Sequence, residues 1–200
     1  ESLLGLAEEA CKRIFEEQER DNIDGLVYVT QSPDSRIPTT ACLLHETLGL
    51  PKHCLAFDIN QGCSGFVYGL SLATSLLRAR QINRCLIVCA EAYSKYISIH
   101  DRTSRPIFGD GASAVVVDME GSGDIGPFVF ATDGSGAPNL TLTPGDDEAS
   151  SNDDTLYMNG PKVLEFTMDE VPKSVARLLV SAGLQLEDID MFLFHQASKV

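Results

Sequence analysis

Three short runs limit what this chain can fold into. CLIVCA (residues 85–90), ASAVVV (112–117) and MFLF (191–194) are apolar at nearly every consecutive position rather than at alternate ones. Successive side chains of a strand point to opposite faces, so a strand apolar on both faces is covered on both. Helices must flank such a sheet, and the intervening segments supply them. In residues 3–19, Leu3, Leu6, Ala7, Ala10 and Ile14 share one helical face and Glu8, Glu9, Lys12 and Glu16 another. Thr39 or Thr40 is placed to cap a helix that stops before Gly49, with Pro51 beyond it. Helices are also predicted over 64–79 and 163–182, and strands over 26–30, 55–59 and 125–131. Strands alternating with helices define an α/β protein.

Bulk properties narrow the function. An apolar fraction of 44% and a charged fraction of 22% are those of a globular protein. A net charge of -14 argues against nucleic acid and anionic membrane surfaces as partners. Residues 59–77 carry no charge, but they open on Asn60-Gln61-Gly62-Cys63-Ser64-Gly65, and only 66–77 are apolar enough for a span. A helix buried in protein fits better. None of the six cysteines forms a C-x-x-C pair, and no metal knuckle is visible. With no secretory signal at Glu1, reduced thiols in the cytoplasm are the expectation. Residues 133–154 gather Gly, Ser, Pro, Asn and Asp and read as a long exposed loop.

The chain echoes itself. Residues 7–31 read helix, Asn22-Ile23-Asp24, LVYV, then Gln31 and Ser32; residues 171–198 read helix, Asp188-Ile189-Asp190, MFLF, then His195-Gln196-Ala197-Ser198. This is either a duplication or the ordinary likeness of two αβ units. If a duplication, the second copy stops early.

Cys63 and His195 are the residues best placed for chemistry. Cys63 lies between Gly62 and Gly65 where a strand gives way to a helix. A helix N-terminus carries roughly half a positive charge, which favours thiolate, the nucleophilic form. A helix apolar all round would bury that terminus in the core. The competing reading is a small buried core residue. His195 follows MFLF, and ligand sites in α/β proteins gather beyond the carboxyl ends of strands. A thiol and an imidazole at two strand ends are the pair that thiol nucleophilic catalysis needs. The Gly-rich Phe108-Gly109-Asp110-Gly111 lacks a P-loop lysine and reads as a turn into a core strand.

DINQGCSGFVYGL, RPIFGDGASAVVV, MNGPKVLEF and DMFLFHQAS, in that order, resemble 3-oxoacyl-acyl-carrier-protein synthase III, the ketoacyl synthase III branch of the thiolase-like enzymes. TQSPDSRIPTTACLLHETLGL is similar to the family's segment upstream of the nucleophile. The resemblance implies a thiolase-like fold: duplicated αβαβαββ halves in an α/β/α/β/α layered arrangement, here with the second half incomplete. Residues 1–120 would be the N-terminal half, lacking its first strand, and 121–200 the start of the C-terminal half. It implies that Cys63 is the acylated nucleophile and that His195 belongs to a Cys-His-Asn set whose Asn falls past Val200. Arg102 would pack on the adenine of coenzyme A, and Met158 and Gly160 would line the pantetheine channel. No cofactor is implied, since the coenzyme A thioester is a substrate.

The implied reaction is a decarboxylating Claisen condensation between an acyl group on Cys63 and malonyl-acyl carrier protein. The implied partners are acyl-CoA, acyl carrier protein and a second copy of the chain. Strands would pair across the dimer from the 85–90 region, and residues 36–45 of the partner would help to wall the pocket. Ser198 and Val200 depart from the family pattern, which bears on carrier-protein docking and on the exact sub-branch. Two alternatives stand beside the condensation: acyl transfer to an alcohol or amine, or a non-catalytic incomplete chain. The acidic residues 144–154 read either as a cover over the entrance or as a solvated loop.

Overall fold

In a computed structural model, residues 2–17, 19–120, 123–143 and 155–196 are described. They separate into two compact units, one of Glu1–Tyr93 with Gly109–Ile125, the other of Ser94–Phe108 with Gly126–Val200.

The first unit is built on a four-stranded sheet. Helix α1 (Leu3–Phe15) precedes strand β1 (Gly25–Val29), helix α2 (Thr40–Leu48) precedes β2 (Leu55–Ile59), and helix α3 (Gly65–Arg78) precedes β3 (Arg84–Glu91) and β4 (Gly111–Asp118). The strand order is β2-β1-β3-β4. The first three are parallel and β4 is antiparallel, with Val27 opposite Phe57 and Ile87, and Val88 opposite Ala114.

The unbroken apolar runs divide by parity. Leu26, Tyr28, Leu86, Val88 and Ala90 pack with Leu3, Ala7, Cys11, Ala41, Leu44 and Leu48 of α1 and α2. Val27, Val29, Cys85, Ile87 and Val117 pack with Ala73 and Leu77 of α3. Each strand thus feeds two cores, which is why it tolerates no polar face. The 85–90 strand lies inside the sheet between β1 and β4, so it has no free edge to pair across a dimer. The edges are β2 and β4.

Helix α3 departs from the expectation of a helix buried all round. Its sheet-facing side is Gly65, Gly69, Ala73, Thr74 and Leu77, while Phe66, Val67 and Leu72 are exposed. The small residues let the helix backbone approach the sheet and turn the large ones outward.

Helix ends are fixed by carboxylates and glycines. Thr39 occupies the N-cap position of α2 without a side-chain capping bond. The Asp58 carboxylate of β2 accepts the Thr40 and Ala41 N–H groups instead, at 2.8 and 2.7 Å. Gly49 ends α2 at φ 62°, a left-handed conformation that glycine adopts without a Cβ clash. Asp24, just ahead of β1, accepts the backbone N–H groups of Asn83 and Arg84 at 2.8–2.9 Å and the Asn83 amide at 2.7 Å.

In the second unit, β5 (Leu140–Thr143) and β6 (Thr155–Met158) form an antiparallel ribbon, and helix α4 (Gly160–Ala182) follows. Asn159 caps α4 by accepting the Lys162 N–H, and Gly183 closes it at φ 69°. The ribbon was not expected, since LTLT and TLYM flank a polar stretch. Neither 125–131 nor 191–194 forms a strand. Pro127 removes an N–H from the first. The second pairs with no described strand, and Leu193 is 87% exposed. It is locally extended, with Phe192 and Phe194 stacked at 5.6 Å, as residues two apart can be. The local echo extends to the turns. A 3-10 turn at Arg20–Asn22 precedes Ile23, and one at Leu186–Asp188 precedes Ile189. The acidic residues 144–154, with Ser198 and Val200, lie outside the described residues.

Asp24 supplies a test of the sheet. Partial burial pushes its carboxyl up, but the N–H groups of Arg84 and Asn83 outweigh this and hold it below its ordinary value. Its contribution is therefore complete above the unfolded value of about 4 and is lost as pH falls through the lower folded value. Asp24→Ala is expected to lower the unfolding free energy by about 2–3 kcal/mol at neutral pH in a urea titration. Its stability should also fall less than the wild type's on acidification below about pH 4.

Candidate active site around Cys63

The carboxyl ends of β1, β2 and β3 converge on one place. Beyond β2 the chain turns through Asn60, Gln61, Gly62, Cys63 and Ser64 and enters α3, with the Gly65 N–H donating to the Gly62 carbonyl at 2.8 Å. Gln31 stands just beyond β1, and Glu91 ends β3. Parallel sheets present their ligand sites at this end.

Two glycines make the turn possible. A Cβ at Gly65 would overlap the Val29 Cγ1 of β1. A Cβ at Gly62 would overlap the Gln31 Oε1. The start of α3 therefore rests on β1, and Cys63 projects from the turn as an exposed residue.

Its acidity differs from the expectation. Desolvation by neighbouring groups raises the Cys63 thiol; its own backbone N–H opposes this, and the Glu91 charge adds to the rise. Ser64 is the N-cap of α3, so Cys63 stands one residue before it, at the positive end of the helix. A thiol raised in this way ionises less readily, so its attack calls for a proton acceptor.

The remaining cysteines follow the structural reading in part. Burial pushes Cys11 and Cys85 up to about 12 and Cys54 and Cys89 up to about 11. Cys42 is exposed on α2. His45 is occupied, with Nε2 3.0 Å from the Pro51 carbonyl oxygen.

The other expected site residues belong to the second unit. His195 is exposed in the extended segment after Ile189, rather than at the end of a buried strand. Met158 ends β6 and Gly160 begins α4, so the two flank the Asn159 cap. Gly160 has open space where a Cβ would stand. Arg102 is exposed in a turn that Asp101 organises: its carboxylate accepts the Thr103 and Ser104 N–H groups and the Thr103 hydroxyl, which hold it far below the usual carboxylate range. Among the described residues, no group of three or more His, Cys, Asp or Glu is arranged to hold a metal ion, and no helix is long and apolar enough to cross a membrane.

The sequence reading missed a polar cluster beneath the Cys63 turn. Glu91 accepts the Gln31 N–H at 2.8 Å, the Ser32 hydroxyl at 2.5 Å and the Thr30 hydroxyl at 3.4 Å. Ser32 Oγ in turn accepts the Ala92 N–H at 2.8 Å, and the Tyr93 hydroxyl donates to Gln31 Oε1 at 2.9 Å. The signal was a single acid directly after an apolar run, and Gln-Ser directly after another.

A parallel sheet with an antiparallel edge and a cysteine on the turn into a close-packed helix define an α/β protein with a thiol at its ligand end, and comparison with known proteins places it among thiolase-like structures. Residues 57–134 match the family described as 3-oxoacyl-[acyl-carrier-protein (ACP)] synthase III. The chain is 35% identical over 204 residues to a beta-ketoacyl-[acyl-carrier-protein] synthase III of Caldanaerobacter subterraneus subsp. tengcongensis, covering 96% of this chain and 61% of the relative. It is 33% identical over 207 residues to the Clostridium perfringens enzyme of that name, covering 99% and 64%. It superposes on a crystal structure of a 3-oxoacyl-(acyl-carrier-protein) synthase III with TM-score 0.93 and 42% identity, covering 100% of this chain and 65% of that one. The corresponding synthase of Burkholderia xenovorans gives TM-score 0.84 and 33% identity, covering 100% and 60%. The chain is thus similar along its whole length to 3-oxoacyl-[acyl-carrier-protein] synthases III, and it spans about three fifths of the length of these relatives.

The glycine contact beneath the turn is testable. Gly65→Ala must displace α3 from Val29, and is expected to lower stability by about 1–3 kcal/mol in urea unfolding. Gly109→Ala, with nothing within 4 Å of the added Cβ, should change it by less than about 0.5 kcal/mol. Equal effects would remove the close approach as the feature that sets the turn.

Proposed function

We propose that the protein is an acyltransferase performing a decarboxylating Claisen condensation, with Cys63 as the nucleophile. The observation that carries this is the placement of Cys63, on the turn from a parallel strand into α3, in a chain whose residues 57–134 match this family. His195 takes the Cys63 thiol proton, and the thiolate sulfur attacks the carbonyl of an acyl-CoA thioester. The carbon–sulfur bond to coenzyme A breaks, and coenzyme A leaves as the thiol after taking a proton. Malonyl-acyl carrier protein then loses carbon dioxide, and the bonding pair becomes an enolate. The His195 N–H stabilises that enolate, together with an Asn that the family pattern places past Val200. The enolate carbon attacks the acyl carbonyl, whose developing oxyanion faces the Cys63 N–H. Cys63 leaves as thiolate, and a 3-oxoacyl thioester remains on the carrier. The raised thiol supports assigning His195 as a base, because a protonated Cys63 needs one.

In this reading the exposed Arg102 guanidinium stacks on the adenine of coenzyme A, and Met158 and Gly160 line the pantetheine path. Residues 1–120 are the N-terminal thiolase-like half without its first strand, and 121–200 are the start of the C-terminal half. The enzyme needs no cofactor, works in the cytoplasm and forms a homodimer. Pairing at an edge such as β2, with its exposed Leu55, suits a two-fold interface better than the central β3.

Incubation of the chain with acetyl-CoA, followed by peptide mass analysis, tests the reading. One acetyl group is expected on the Cys63 peptide and none in Cys63→Ala, whose acyl transfer should fall by roughly 10³-fold or more. An adduct on another cysteine, or none on a Cys63 that still reacts with iodoacetamide, would overturn it in favour of a non-catalytic chain.

A further inference from the structure

The polar cluster behind the turn has work beyond joining two strands. Glu91 is the last residue of β3, on the same face as Cys85, Ile87 and Cys89, and this face meets α3. Its two carboxylate oxygens divide their partners: Oε1 takes the Gln31 N–H, and Oε2 takes the hydroxyls of Ser32 and Thr30. Ser32 passes the tie back to the Ala92 N–H. The chain just beyond β1 is thereby clamped to the chain just beyond β3. Gln31, whose backbone the clamp holds and whose side chain Tyr93 fixes, is the residue on which Gly62 rests.

We propose that Glu91 is a positioning residue for Cys63: through Gln31 it fixes the turn that presents the sulfur. The proposal rests on Cys63 being the acyl acceptor. Asp58 of β2 is turned instead to the start of α2.

Two rates on the Cys63 sulfur, read peptide by peptide by mass, separate aim from folding, with the exposed Cys42 as internal control. Alkylation by iodoacetamide needs only an exposed thiol, whereas acetylation by acetyl-CoA needs the sulfur held in place. Glu91→Asp withdraws the carboxylate from Gln31 and should slow Cys63 acetylation about two- to fivefold, while alkylation of Cys63 and Cys42 is unchanged. Gln31→Ala removes the side chain beneath Gly62 and should act in the same way, and it serves as the readout if Glu91→Asp does not fold. Undiminished acetylation, or equal slowing of both rates, would make Glu91 a strand tie and nothing more. No acetyl adduct even in the wild type would instead sink the synthase reading, and this proposal with it.

Discussion

The contact between α3 and β1 governs the arrangement. Gly65 lies against Val29, and Gly69 lies within reach of Val29, Ile87 and Val27. Had either position carried a side chain, the helix would ride higher on the sheet, and the turn before it would lift away from the ends of β1 and β3. Close packing makes this an all-or-nothing matter, because interiors leave little slack for an extra methyl group. The two glycines therefore set the height at which Cys63 leaves the sheet.

The same contact decides which side of α3 faces out. A helix with glycine and alanine against a sheet has its bulky residues on the other side, and Phe66, Val67 and Leu72 are accordingly exposed. Composition alone suggested a helix buried all round. A strand serves two cores by alternating odd and even residues, whereas α3 serves one with its smallest residues.

Much of the first unit could be read from the sequence, because local chemistry and tertiary packing agree there. Gly49 and Pro51 mark the end of α2, the parity of β1 and β3 forecasts helices on both faces, and β2 falls on the predicted residues 55–59. Cys63 was visible for the same reason: a thiol between glycines at a strand-to-helix junction has few other uses. The failures fall where partners decide. LTLT and TLYM pair across a polar stretch that hid them, and MFLF finds no described strand beside it. The acidity of Cys63 could not be read because it depends first on how far the fold desolvates the sulfur.

Glu91 is one of three acids that share an office. Asp24, Asp58 and Glu91 each stand in or beside a strand and accept backbone N–H groups from a different element: Asn83 and Arg84, Thr40 and Ala41, and Gln31. Sheet ends leave N–H groups without ladder partners, and a carboxylate satisfies two at once through charge-assisted bonds stronger than neutral ones. Part of the acid surplus behind the net charge of -14 is thus internal fastening rather than solvent-facing field. At Glu91 the fastening reaches the site: the strand ends it ties carry Gln31, against which the Gly62 turn is set, so one side chain bears on where Cys63 stands.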